Sequence, residues 1–279
     1  VKKRDRNTAV FVRDSLLVEA IYAYLKEQNA PVAASELGKK ILKIANLPDD
    51  VADKMVDVLL GEDRRFRKLE DNQWTLRLEP PPEGELKRLH YCILDVEITG
   101  HARSPRIIEI AAVRLENMAP SGEFHRFVNP GRAIYPKVLN HTIVDTEMLR
   151  TAPKIEEIFP EFFQFIGNRI LVAHNAHFDL RMLNRELRRI SHMKLANPVI
   201  DTLKVSRRCL PGVDTQRLPE LARYFGVALE EHHLARDDAR ALAHIFPKLV
   251  DLLAEEGITH LSQMKEFMIG APPATAGHC

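Results

Sequence analysis

Three consecutive prolines, Pro80-Pro81-Pro82, constrain this chain more than any other feature. Their rings fix φ and remove backbone donors, so the run fits neither a helix interior nor a central strand. Flanked by Glu79 and Glu83-Gly84-Glu85, it reads as a short, stiff linker. About 80 residues precede it and about 195 follow, in a chain of 279. That is the size of two domains at roughly 100–200 residues each. The expected division is an accessory domain over 1–78, a linker over 79–88, a main domain over 89–255 and a tail over 256–279, frayed across 269–277.

Charge narrows the function classes. Lys and Arg number 40 against 39 Asp and Glu, and 45% of residues are apolar. This mixture excludes an intrinsically disordered chain and a globally basic nucleic-acid coat, so nucleic-acid binding must rest on local charge. The first piece carries 15 basic and 14 acidic residues, so neither piece is polarised. The best apolar run, 107–113, is broken by Glu109, and no membrane partner is expected. Cys92, Cys209 and Cys279 are odd in number and form no CxxC pair. A reducing, cytoplasmic location is the expectation, with no disulfide framework and no thiolate zinc site.

The first piece alternates helix and turn signals. Apolar spacing predicts a helix over 15–26, stopped at Asn29-Ala30-Pro31. Val32 begins an extended stretch, Ser35 is the expected cap of a helix over 36–44, and Leu47-Pro48-Asp49-Asp50 opens a third through Leu60. Alternating residues over 66–70 and 74–78 around Asp71-Asn72 predict a hairpin. Three helices followed by a hairpin outline a winged helix. The order of elements, Phe66 and the Asp71-Asn72-Gln73-Trp74-Thr75-Leu76 ending resemble the helix-turn-helix family of the RNA polymerase delta subunit. That resemblance implies docking on nucleic acid or on a protein partner. Arg64, Arg65, Arg67 and Lys68 either contact phosphates from the wing or form an ordinary charged strand edge.

In the second piece, His90-Tyr91-Cys92-Ile93-Leu94-Asp95-Val96-Glu97 reads as a buried strand. Asp95 and Glu97, two apart, leave it on one face. Like charges so placed are unfavourable unless a cation or a proton holds them. Strands are expected over 105–115 and 122–128, joined through 117–122, and a helix from Ala152-Pro153 buries a phenylalanine stripe as core. Ile170-Leu171-Val172-Ala173 is another strand, followed through His174-Asn175 by a helix over 180–190 with Asp179 near its start. Asp179 is there either as a helix-start acid or as a site residue. Asp201, closing a strand over 199–202, is placed to cap the next helix, and 218–225 is a helix closed by Gly226. His233 and Asp238 would diverge by about 140° if both were helical. His233 is therefore expected on the loop before a helix through Leu253, with Asp237 pointing elsewhere.

Three ordered motifs then carry a resemblance. Asp95-Val96-Glu97-Ile98-Thr99-Gly100, His174-Asn175-Ala176-His177-Phe178-Asp179 and His233-Leu234-Ala235-Arg236-Asp237-Asp238-Ala239 resemble the DEDDh (epsilon-subunit-like) 3′→5′ exonuclease family over residues 90–253. Ile107-Ile108-Glu109-Ile110, Val128-Asn129-Pro130-Gly131 and Ile200-Asp201-Thr202-Leu203 also match. The resemblance implies an α/β fold: a ribonuclease H-like five-stranded mixed sheet flanked by helices, preceded here by the small winged-helix domain. It implies Asp95, Glu97, Asp179 and Asp238 as ligands for two Mg²⁺ or Mn²⁺ ions and His233 as general base. Ile98, Thr99, Gly100, His101, His174 and Asn175 are the implied substrate contacts. His174 and Asn175 could instead shape the turn before Asp179. His101 stands where family members often carry a leucine that wedges against the terminal bases.

The chemistry suits these residue types. Paired hard cations held by carboxylates can activate water and stabilise the leaving oxygen of a phosphodiester, and imidazole titrates near neutrality. The expected activity is 3′→5′ hydrolysis of DNA, or of RNA, releasing nucleoside 5′-monophosphates in proofreading or repair-type trimming. The expected partners are a single-stranded DNA or RNA 3′ end and, through the N-terminal domain, a polymerase or another replication or repair protein. The alternatives are a non-catalytic nucleic-acid-binding module on a relic nuclease fold and an RNA-processing exoribonuclease. A zinc hydrolase around His232 and His233 finds no zinc motif at this spacing.

Overall fold

The computed structural model describes residues 10–43, 47–61, 63, 65–77, 84–99, 104–132, 145–213, 215–230 and 233–269. The proline run, Arg64, Gly100, His101, His232 and the residues after Ile269, all named in the sequence analysis, lie outside the described residues.

Along the first piece run β1 (Phe11–Arg13), α1 (Leu16–Gln28), β2 (Val32–Ala33), α2 (Ala34–Leu42), α3 (Asp49–Leu60), β3 (Phe66–Lys68) and β4 (Gln73–Leu76). Then follow β5 (Tyr91–Ile98), β6 (Ile107–Glu116), β7 (Ala119–Phe127), α4 (Thr146–Thr151), α5 (Ile155–Ile166), β8 (Ile170–Ala173) and α6 (Ala176–Ser191). The chain ends through β9 (Met193–Leu195), β10 (Val199–Asp201), α7 (Thr202–Cys209), α8 (Leu218–Phe225), α9 (Ala235–Glu255) and α10 (Leu261–Ile269). Among the described residues two units emerge: one holds those of 84–186 and 197–269, the other those of 10–77 and 187–196.

The smaller unit packs α1, α2 and α3 against a three-stranded antiparallel sheet of order β2-β4-β3. Val18, Ile21, Leu37, Val56, Phe66 and Trp74 form its core. Gly38 sets the spacing of α2 and α3, since a Cβ there would stand 2.7 Å from that of Ala52. Two features differ from expectation. Ser35 is not a cap, because α2 begins one residue earlier, at Ala34. A second small sheet pairs β1 with β9 across some 180 residues of sequence; no local pattern announces strands of three residues.

The larger unit is built on a five-stranded mixed sheet of order β10-β8-β5-β6-β7. β5 is central because its first four residues are apolar and fully buried, with β8 parallel on one side and β6 antiparallel on the other. α9 lies against the sheet through Leu242, Phe246, Leu249 and Leu253, and Tyr91 meets Phe246 edge-on at 4.9 Å between ring centroids. Phe162 is fully buried and packs on Phe124, so the phenylalanine stripe of α5 is core.

Boundaries shift for identifiable reasons. The β6–β7 turn is only Asn117-Met118, both with positive φ, and not the longer 117–122 connection. Pro120 and Gly122 look like turn residues, but β7 is an edge strand, where proline is tolerated. α5 starts at Ile155 rather than at Pro153, with the Lys154 N–H donating to Glu157. α6 starts at Ala176, four residues before Leu180. Within the segment expected as a tail, α10 buries Leu261 and Met264 in the main core.

Candidate active site

Three elements of the larger unit converge. The first is the C-terminal half of β5, where period-2 geometry sends Asp95 and Glu97 to one face. The register breaks after Glu97, and the strand end is then held by Thr99. Its N–H donates to the Arg106 carbonyl at 2.9 Å, and its hydroxyl accepts from the Arg106 N–H at 3.1 Å. Arg106 is in turn fixed by buried Glu186 of α6 at 2.6 Å. Ile98 and Thr99, expected to touch substrate, therefore lie on a braced strand end. Gly100 and His101 lie beyond the described residues.

The second element is the start of α6, which follows β8 through a tight turn. Asp179 sits in the first turn of α6 and is buried, with Oδ1 accepting the Val96 N–H at 3.1 Å. That bond holds it on the backbone of β5 at Val96, the residue between Asp95 and Glu97 in sequence. The turn itself uses His174 and Asn175. His174 Nδ1 lies 3.1 Å from the Thr202 hydroxyl and Nε2 lies 2.7 Å from the Gln216 carbonyl. Asn175 takes a left-handed φ of 67° and donates its N–H to Asp201, whose carboxylate also caps α7 at Leu203. Both ring nitrogens of His174 thus hold the turn that delivers Asp179.

The third element is the start of α9. His233 stands on the preceding loop, exposed, with φ 73°, and its N–H donates to Asp238 Oδ2 at 3.3 Å. Asp238 is buried in the first turn. Asp237, its neighbour, engages Arg236 Nε at 3.0 Å instead. One residue not foreseen as part of the site is Glu109 of β6. It is 1% exposed, its Oε2 accepts the Ala235 N–H at 3.2 Å and its Oε1 the Arg236 N–H at 3.3 Å. The available signal was a lone acid inside the apolar run 107–113, which must find donors if buried.

Among the described residues, Asp95, Glu97 and Asp238 each offer an oxygen within 4.8 Å of the others. Asp179 adjoins this trio without belonging to it at that distance. The electrostatics follow. Burial, then Asp179, Glu97 and Asp238, push the Asp95 carboxyl well above the usual carboxylate range. Burial, then Asp238 and Glu109, push Glu97 up to about 8. Burial raises Asp179 too, against the pull of the Val96 N–H. An all-oxygen donor set with so much crowded negative charge fits a hard divalent cation.

A stability consequence follows from Glu97. Its folded-state affinity for a proton exceeds its unfolded one, so the protonated form favours folding and that contribution is lost as pH rises from its ordinary 4.5 towards about 8. In chelator, the melting temperature of the native protein relative to Glu97→Gln is expected to fall by several degrees between about pH 5 and about pH 9. Added Mn²⁺ should restore it at the high end. A difference that does not vary with pH would refute this reading of the cluster.

The RNase_T family model, described as "Exonuclease", matches residues 92–246, more than half of the chain. A "DNA polymerase III PolC-type" of Caldanaerobacter subterraneus subsp. tengcongensis is 31% identical over 94% of this chain and 17% of its own length. The protein of the same name from Staphylococcus haemolyticus is 37% identical over 64% of this chain and 13% of its own. The chain thus spans only about a sixth or less of these relatives. Among solved structures, exonuclease X in complex with 5′ overhanging duplex DNA is 26% identical at a TM-score of 0.51, covering 64% of this chain and 99% of that one. The nuclease domain of 3′hExo, a DEDDh family member, shares the fold at 16% identity and a TM-score of 0.51, over 63% of this chain and 96% of that one.

Proposed function

The chain belongs to the exonuclease family, and from that premise we propose that it removes nucleotides from the 3′ ends of DNA, releasing nucleoside 5′-monophosphates with the help of two Mg²⁺ or Mn²⁺ ions. The observation that carries this reading is the meeting of Asp95, Glu97 and Asp238 within 4.8 Å, from elements about 140 residues apart. When bound, such ions supply charge neutralisation for an in-line attack on phosphorus. The protein's own residues do the rest. Asp95, Glu97, Asp179 and Asp238 hold the ions. His233, on its exposed loop, takes the proton of the attacking water. The strand end at Ile98 and Thr99, braced by Arg106 and Glu186, seats the terminal nucleotide.

The smaller unit we take as a winged helix, on the support of three helices followed by the β3–β4 hairpin in a three-stranded sheet. Its charges favour a protein partner over a phosphate backbone. α3 carries Asp49, Asp50, Asp53 and Asp57 against a single lysine. Of the basic residues expected on the wing, Arg65 pairs with Asp63 and Glu19, and Lys68 with Asp57. Since the relatives that match are DNA polymerases, a polymerase is the partner proposed, with proofreading or repair-type trimming as the role.

A labelled single-stranded DNA oligomer tests the core of this. With Mg²⁺ or Mn²⁺, a 5′ label should appear in a ladder of successively shorter products, and chelator should abolish it. Release of the 5′ label as a mononucleotide would reverse the polarity proposed, and an RNA ladder faster than the DNA one would change the substrate.

A further inference from the structure

We propose that Glu109 is a positioning residue for the reaction: it sets where α9 begins, and through that where Asp238 and His233 stand. The proposal rests on the reading of Asp238 as an ion ligand and His233 as base.

The first residue of α9 is preceded by Leu234, which has no side chain able to cap a helix, and no side-chain cap bond is made there. Two of the orphaned N–H groups, those of Ala235 and Arg236, are instead satisfied by the two oxygens of Glu109, 126 and 127 residues earlier in sequence. A carboxylate at that position also meets the positive end of the helix. Glu109 is thus a cap supplied by another strand. Leu234 itself is pinned by burial beside Ile108 and Leu149, so the helix start is held by an apolar contact and by a charged one.

The location makes this consequential. Glu109 stands opposite Glu97 in the β5–β6 register. Opposed like charges destabilise a sheet, and Glu109 does raise the proton affinity of both Glu97 and Asp95. A buried acid in that place is unfavourable unless its own donors offset it, and they do. Besides the two amides, His125 Nε2 lies 2.8 Å from Oε1. Among the described residues, the hydrogen-bond partners of Glu109 come from α9 and β7, and they engage both of its oxygens, which lie outside the Asp95, Glu97 and Asp238 trio. It touches the ligand-bearing helix without joining the ligand set. Three residues after Ala235, Asp238 then falls in the first turn of α9, where it accepts from the His233 N–H.

The test compares Glu109→Gln, which keeps the size and one acceptor, with Glu109→Ala, which keeps neither. The readouts are amide hydrogen exchange at Ala235 and Arg236 in metal-free protein, Mn²⁺ affinity by titration calorimetry, and kcat and KM taken separately on single-stranded DNA. Faster exchange at both amides is expected in Glu109→Ala and at one of them in Glu109→Gln. Mn²⁺ affinity and kcat are expected to fall about 10–100-fold, the range for residues that orient ligands, with KM within about twofold and Glu109→Gln intermediate. Glu109→Gln is the deciding variant should Glu109→Ala not fold. Native kcat and Mn²⁺ affinity in folded Glu109→Gln would overturn the proposal, leaving Glu109 a purely structural cap. A native protein that neither binds Mn²⁺ nor cleaves DNA would instead overturn the nuclease reading, while faster amide exchange in the variants would still identify the cap.

Discussion

Asp238→Ala protein is expected to lose metal-dependent exonuclease activity by ~10³-fold or more while remaining folded. Loss of several kcal/mol of charge stabilisation from a two-ion site corresponds to a factor of that size. The cause of the loss can be separated from unfolding. Asp238 is one of the charges that raise the proton affinity of Asp95, Glu97 and Asp179. Its removal relieves repulsion, so the variant should melt no lower, and at high pH higher, than native protein in chelator. Wild-type activity in Asp238→Ala would refute the ion-ligand assignment. Lost activity together with a lowered melting temperature would point to a folding defect instead.

His233→Ala is expected to lose about 10²–10⁴-fold in kcat, the usual contribution of a general base, with Mn²⁺ affinity unchanged. The two halves of that expectation come from different atoms. The side chain is on an exposed loop outside the oxygen trio, whereas the contact with Asp238 is made by the His233 backbone N–H. Alanine keeps that N–H. A parallel drop in Mn²⁺ affinity would show that the imidazole helps to hold an ion, and an unchanged kcat would remove it from the chemistry.

Much of this site is legible in the residues themselves because strand and helix periods are rigid rules. Asp95 and Glu97 had to share a face, and His233 had to precede the helix that carries Asp238. The apolar runs of β5 and β8 likewise identify the middle of the sheet. What escaped depends on partners distant in sequence. Glu109 reads as an interruption in an apolar run, and only the approach of α9 supplies its donors. Asp179 reads equally well as a helix-start acid, and the bond from Val96 is what docks it. Pro120 and Gly122 resemble a turn because local chemistry does not reveal that β7 is the last strand of the sheet among the described residues. Arg65 and Lys68 look available for phosphates until the acids that hold them are seen.

The pairing of β1 with β9 bears on how the molecule is made. Phe11–Arg13 finds its strand partner at Met193–Leu195, and Asp14 and Glu19 find Arg188 and Lys194 there. A ribosome therefore releases the first seventy-odd residues of the smaller unit long before the ten that complete it. A protease cut at the proline run followed by separation of the halves would leave an exposed, unpaired β1 in one fragment and an equally bare β9 in the other. Each would be an invitation to pair with a neighbour, so the two halves should be recovered together or aggregate apart.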